Sequence, residues 1–197
     1  IDAASYGYPL TNPFEATIAT TPPNLRPELP LDADIDQEDR SLTVRPERAF
    51  ELPENFWAVK KLTYRIATQD KAAPLIFLIA GTGARFDSSL NEYLKKLYYK
   101  AGYHVVQLSS PTSFDFISAA SRFATPGVTK EDAEDLYRVM QAVRAQNPKL
   151  PVTDYYLTGY SLGALDAAFV AHLDETRRSF NFKKVLLLNP PVNLYTS

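Results

Sequence analysis

A chain of 197 residues, 45% of them hydrophobic and carrying a net charge of -2, is long enough for one domain with a sizeable core. Its 21 basic residues are scattered among 23 acidic ones, with no basic run and no zinc-ligand spacing, which argues against a nucleic-acid partner and a structural metal. The absence of cysteine excludes thiol catalysis, disulfides and thiolate metal sites. Residues 1–56 hold more than half of the 15 prolines and read as an extended, proline-rich N-terminal arm with at most a short strand over residues 41–44. The chain opens on Ile1 with no charged leader, the pattern of a trimmed terminus, so the expected location is secreted or periplasmic ahead of cytoplasmic.

From Trp57 the pattern changes. Residues 57–66 read as a half-buried strand and residues 75–80 as a fully buried one. That apolar run is far short of the roughly 20 residues needed to cross a bilayer, and no membrane span is expected. A helix follows, capped by Ser88 or Ser89, with Leu90, Tyr93, Leu94, Leu97 and Tyr98 on one face and Gly102 ending it. Residues 104–108 make the next strand. After a loop region holding Pro111, Pro126 and Gly127, a capping-box-like start at Thr129 opens a helix buried through Ala133, Leu136, Tyr137, Met140 and Val143, which Asn147 and Pro148 end. A strand over residues 154–158, a helix from Leu162 to about Glu175 and a strand over residues 185–188 complete the order. Alternating strands and helices imply an α/β fold, a mostly parallel sheet with helices on both faces.

The most informative segment is Gly159-Tyr160-Ser161-Leu162-Gly163, a Gly-x-Ser-x-Gly pentapeptide between a strand and a helix. A strand that turns abruptly into a helix forces the turn residue into a strained conformation with its side chain above the sheet, and the small neighbours prevent clashes. The helix then aims its first amides at any negative charge forming beside Ser161 Oγ. This arrangement resembles the alpha/beta-hydrolase superfamily of esterases, lipases, thioesterases and peptidases. The resemblance covers residues 57–197, the second unit of the chain after the 1–56 arm, and matches residues 75–80, 104–108, 155–158 and 185–188 to the third to sixth strands.

The resemblance implies a serine hydrolase acting on an ester or thioester bond of an acyl substrate, small or lipid-like, with Ser161 as nucleophile and no cofactor or metal. It also implies an oxyanion hole built from the Leu162 amide and an amide of the Gly81-Thr82-Gly83 loop, Thr82 first, with Gly83 or Ala84 next. The segment after residue 108 should lie near the site, so Phe114, Phe116 and Ile117 are candidates for an acyl pocket; packing beneath a loop is the plainer reading of these side chains. A base is harder to find. His172 lies about 16 Å along the helix from Ser161, and His104 starts its strand, at the end away from the site. Asp166 reads as a surface or cap-region residue, and Asn189 stands where some relatives put the acid. The expectation is therefore a hydrolase fold lacking the strands after the sixth and inactive by itself, with histidine and Asp or Glu supplied by a C-terminal segment of the same precursor. The alternative is a non-catalytic binding or scaffolding protein of the bacterial cell envelope.

Overall fold

The computed structural model describes residues 10–19, 26–44 and 61–192, so Trp57 and the other residues expected to start the second strand lie outside the described residues. The elements are α1 (Pro13–Ala19), β1 (Gln37–Leu42), β2 (Leu62–Ala67), β3 (Ala73–Ile79), α2 (Ser89–Lys100), β4 (His104–Leu108), α3 (Phe114–Ala119), α4 (Thr129–Gln146), β5 (Val152–Tyr160), α5 (Leu162–Arg177) and β6 (Lys184–Leu188). They build one six-stranded sheet in the order β1-β2-β4-β3-β5-β6. The β1-β2 and β2-β4 pairs are antiparallel, and β4-β3, β3-β5 and β5-β6 are parallel. The short strand expected in the N-terminal arm begins four residues earlier than residues 41–44 and forms the sheet's first edge through the register Gln37 to Ala67.

The two faces of the sheet are filled by alternate residues, as the period of two requires. Leu75, Phe77 and Ile79 of β3, with Val106 and Leu108 of β4, join the large core that α3, α4 and α5 cover, while Ile76 and Val105 point to a smaller cluster with Tyr98 and Tyr99 of α2. The long helix α4 buries the face read from its period, with Ala133, Leu136, Tyr137, Met140 and Val143 all essentially inaccessible.

Helix α2 turns inward only part of the face its apolar residues suggest, Leu94 and Tyr98, and buries polar residues beside it. Leu90 and Tyr93 are exposed, and Asn91, Leu94 and Lys95 are buried. Lys95 Nζ donates to Gln37 Oε1 and Glu92 Oε2, both at 2.6 Å, and Glu92 Oε1 accepts from Arg65 and Gln107 of the sheet. A buried ammonium is tolerable only when its donors are used, and this network uses them. Its cost is met by joining β1, β2, β4 and α2.

At the far end of α5, Asp174 closes the turn into β6. Its carboxylate accepts from the Tyr137 hydroxyl at 2.6 Å and from the amides of Phe180 and Phe182 at 3.0 and 3.3 Å. Asp174→Ala strands a buried phenol and a buried amide and is expected to lower the unfolding free energy by about 2–4 kcal/mol. Urea unfolding of wild type and variant measures this, and a change below about 0.5 kcal/mol would contradict it.

Candidate active site

Strand β5 ends at Tyr160 and α5 starts at Leu162, leaving one residue for the turn. Ser161 makes it with φ 53° and ψ -127°, a conformation that costs an L residue on the order of 1–3 kcal/mol. The neighbours show why the chain accepts that strain. A Cβ on Gly163 would stand 2.3 Å from the Ala80 carbonyl oxygen and 2.5 Å from that of Ile79, and one on Gly159 would stand 2.2 Å from the Gly163 oxygen. The first turn of α5 therefore lies against the carboxyl end of β3, closer than any side chain permits. The Ser161 amide donates to the Leu188 carbonyl of β6 at 2.9 Å, and the Ser161 carbonyl accepts from Ala164 and Leu165. Ser161 is exposed.

The helix start leaves the Leu162 amide without an intrahelical acceptor. The loop after β3 is brought beside it by the same close packing, and Tyr160 lies against Gly81 while its hydroxyl reaches Ser88 Oγ at 3.1 Å. Within that loop the amides differ. Gly83 N–H donates to Thr112 Oγ1 at 2.7 Å and Ala84 N–H to the Gly81 carbonyl at 3.0 Å, so neither is free for an oxyanion. This corrects the expectation for Gly83 and Ala84. Thr82 is exposed, and its amide has no acceptor among the described residues.

The aromatic segment after β4 is not the open loop its prolines suggest but begins helix α3. Phe116 is fully buried in the main core, which removes it from any accessible pocket; Phe114 is half-exposed and Ile117 partly buried. Core packing wins because α3 turns Phe116, with Ala119 and Ala120, into the large core.

His104 is fully buried at the amino end of β4, where its Nδ1 accepts from the Gln69 amide at 3.0 Å and its Nε2 faces the Pro151 carbonyl at 3.4 Å. Burial lowers its pKa, keeping the ring neutral. His172 is exposed on α5 beside Glu175. Neither approaches Ser161. Among the described residues, no group of three or more His, Asp or Glu is placed to hold a metal ion, and no helix is long and apolar enough to cross a membrane.

Asp166 is the residue that the sequence misplaces most. Expected at the surface, it is 1% exposed, and neither carboxylate oxygen has a hydrogen-bond partner among the described residues. Burial, and then the charge of the buried Asp132 on α4, push its pKa up to about 8. Asp132 is raised as well, first by its own burial, although the Gly127 amide donates to it at 2.7 Å. No sequence signal distinguishes Asp166 from a solvated aspartate one turn along a helix.

No protein-family model matches the sequence, and neither does any curated protein. Solved structures do match. EstE1, a thermophilic and thermostable carboxylesterase cloned from a metagenomic library, aligns with a TM-score of 0.56 at 20% identity, covering 85% of this chain and 50% of that one. The chain has the alpha/beta-hydrolase fold. An esterase of Pyrococcus furiosus aligns with a TM-score of 0.56 at 16% identity over 83% of this chain and 55% of its own. Brefeldin A esterase, a bacterial homologue of human hormone-sensitive lipase, gives 0.55 at 17% identity over 84% of this chain and 43% of its own. The chain spans about half the length of these hydrolase-fold structures.

Two outcomes follow from this geometry. Gly163→Ala pushes a methyl into two backbone oxygens that cannot move away, so it is expected to destabilise the protein by more than about 2 kcal/mol, and a melting curve superposable on wild type would contradict the packing. Asp166→Asn tests the buried carboxyl. A folded pKa raised to about 8 means that the native state holds a proton the unfolded chain has released, so the stability it confers is present below about pH 4 and is lost as pH rises to 8. The variant should be more stable than wild type at pH 8 by an amount of order a few kcal/mol, a gain that disappears at pH 4; equal stabilities at pH 8 would show the carboxyl to be solvated.

Proposed function

We propose that the protein to which this chain belongs is a serine hydrolase of carboxylic esters, with Ser161 as its nucleophile. The observation that carries this is the strained, exposed Ser161 beside two unengaged amides, Leu162 and Thr82. Strain kept at one solvent-facing hydroxyl by tight packing on every other side is a feature of sites that must present a group to a substrate.

In the reaction, Ser161 Oγ attacks the ester carbonyl carbon while a base takes its proton. The carbonyl oxygen becomes an oxyanion, to which the Leu162 and Thr82 amides donate; one such donor contributes roughly 3–4 kcal/mol in the transition state. Collapse expels the alcohol, which recovers the proton, and water then releases the acid from the acyl-serine. The base and its carboxylate partner are assigned to polypeptide following residue 197. His104 and His172 lie far from Ser161, and the outer side of β6 exposes Leu186 and Leu187 in a way that a further strand and its helix would cover. The neighbours described as esterases and carboxylesterases support an ester over other acyl bonds. Phe114, half-exposed two residues past the Thr112 that holds the loop, is the chain's candidate for contact with an apolar acyl group, and the partly buried Ile117 is a second.

A fluorophosphonate probe applied to the full-length protein should form an adduct at Ser161, identified by peptide mass spectrometry, and hydrolysis of 4-nitrophenyl butyrate should fall at least about 1000-fold in Ser161→Ala. An intact, folded protein that neither reacts with the probe nor loses activity on this substitution would overturn the reading.

A further inference from the structure

The segment that follows β4 is unusually rich in buried hydroxyls. Ser109, Ser110 and Ser113 are each at most 1% exposed; the hydroxyls of Ser109 and Thr112 and the backbone of Ser110 hold the loop that carries Thr82. Gly83 N–H donates to Thr112 Oγ1 at 2.7 Å, Ser110 N–H to the Ala84 carbonyl at 2.9 Å, and Phe86 N–H to Ser109 Oγ at 3.0 Å. The hydroxyls are fixed in turn. Thr112 Oγ1 and Ser110 Oγ lie 2.8 Å apart, and Asp115 accepts from Ser109 at 2.8 Å and Ser113 at 2.6 Å.

One of these contacts is not needed to satisfy a buried donor. Gly83 is exposed, so water would serve its amide equally well. What the Thr112 hydroxyl supplies is orientation. Residues 81–84 form a turn closed by Ala84 N–H to the Gly81 carbonyl, with Gly83 at φ 68°, the positive value that a type II turn demands at its third residue. The alternative type I turn differs mainly by reversal of the peptide between Thr82 and Gly83, and glycine tolerates both. That reversal would take the Gly83 N–H off Thr112 and swing the Thr82 carbonyl across the loop.

We propose that Thr112 is a positioning residue: by accepting the Gly83 N–H it holds the Thr82–Gly83 peptide and ties the turn after β3 to the segment after β4, which fixes where the Thr82 amide stands relative to the oxyanion. The inference rests on the assignment of Ser161 as nucleophile. A locked amide matters in the transition state, when negative charge appears, and little in the ground state, so the hydroxyl acts on kcat rather than KM.

The test compares Thr112→Val and Thr112→Ser with wild type in the full-length protein, using 4-nitrophenyl butyrate turnover and the rate of Ser161 modification by a fluorophosphonate. Valine keeps the volume and removes the acceptor; serine restores it. Thr112→Val should lower kcat by about 10- to 100-fold with KM within about twofold, should slow probe modification in parallel, and should be rescued by Thr112→Ser to within about threefold of wild type. If the valine variant does not fold, as judged by its melting curve, Thr112→Ala replaces it with the same expectations. Wild-type kcat in the folded variant, a change confined to KM, or failure of serine to rescue would each overturn the proposal while leaving Ser161 in place. Absence of any probe adduct in wild type would instead remove the reading on which it rests.

Discussion

The approach of α5 to the carboxyl end of β3 governs this structure. Gly163 lies against the carbonyls of Ile79 and Ala80, and Gly159 against the carbonyl of Gly163, so β5 has no room to continue and a single residue must reverse the chain. Ser161 takes that position at φ 53°, and the amide that a strand would pair inward is held by Leu188 of β6. Tight packing on the buried side leaves the serine exposed on the other. The same contact places the loop after β3 beside the helix start, which is why the Thr82 and Leu162 amides share one neighbourhood although 80 residues separate them in sequence.

Two buried charged systems show how differently the fold treats polar groups. Beneath α2, Lys95, Glu92, Arg65, Gln107 and Gln37 are linked by hydrogen bonds that bind four elements together, with Gln107 Oε1 left without a partner among the described residues. Between α4 and α5, Asp166 faces Asp132 with neither oxygen partnered, a placement that is tolerable only while the carboxyl keeps its proton. The helix that begins at Ser161 is thus sensitive to pH through a group five residues along it, outside the chemistry proposed for the exposed serine.

Much of the architecture was legible because it is written in period and punctuation. The buried runs over residues 75–80 and 104–108, the strand over residues 185–188, the apolar stripe of α4 and the glycines around Ser161 each have a direct physical reading, and each lies where that reading put it, although Leu186 and Leu187 of the last strand are exposed. The errors share a cause, which is that burial of polar side chains leaves no periodic trace. Lys95 and Asn91 displaced part of the apolar face of α2, Asp166 passed for a solvated residue, and the hydroxyls of residues 109–113 passed for an ordinary loop. Only tertiary contacts show that Thr112 removes Gly83 from the set of free amides while leaving Thr82 in it. Phe116 failed as a pocket residue for the opposite reason, since an aromatic near a site is more often core than lining.

A crystal structure of the full-length protein after reaction with a phosphonate ester addresses the central claim most directly, because phosphorus mimics the tetrahedral carbon. The account predicts a bond from Ser161 Oγ to phosphorus, an unchanged positive φ at Ser161, and the phosphoryl oxygen about 2.7–3.1 Å from both the Leu162 and Thr82 nitrogens. Phosphorus on another side chain, or a phosphoryl oxygen directed away from those two amides, would contradict it.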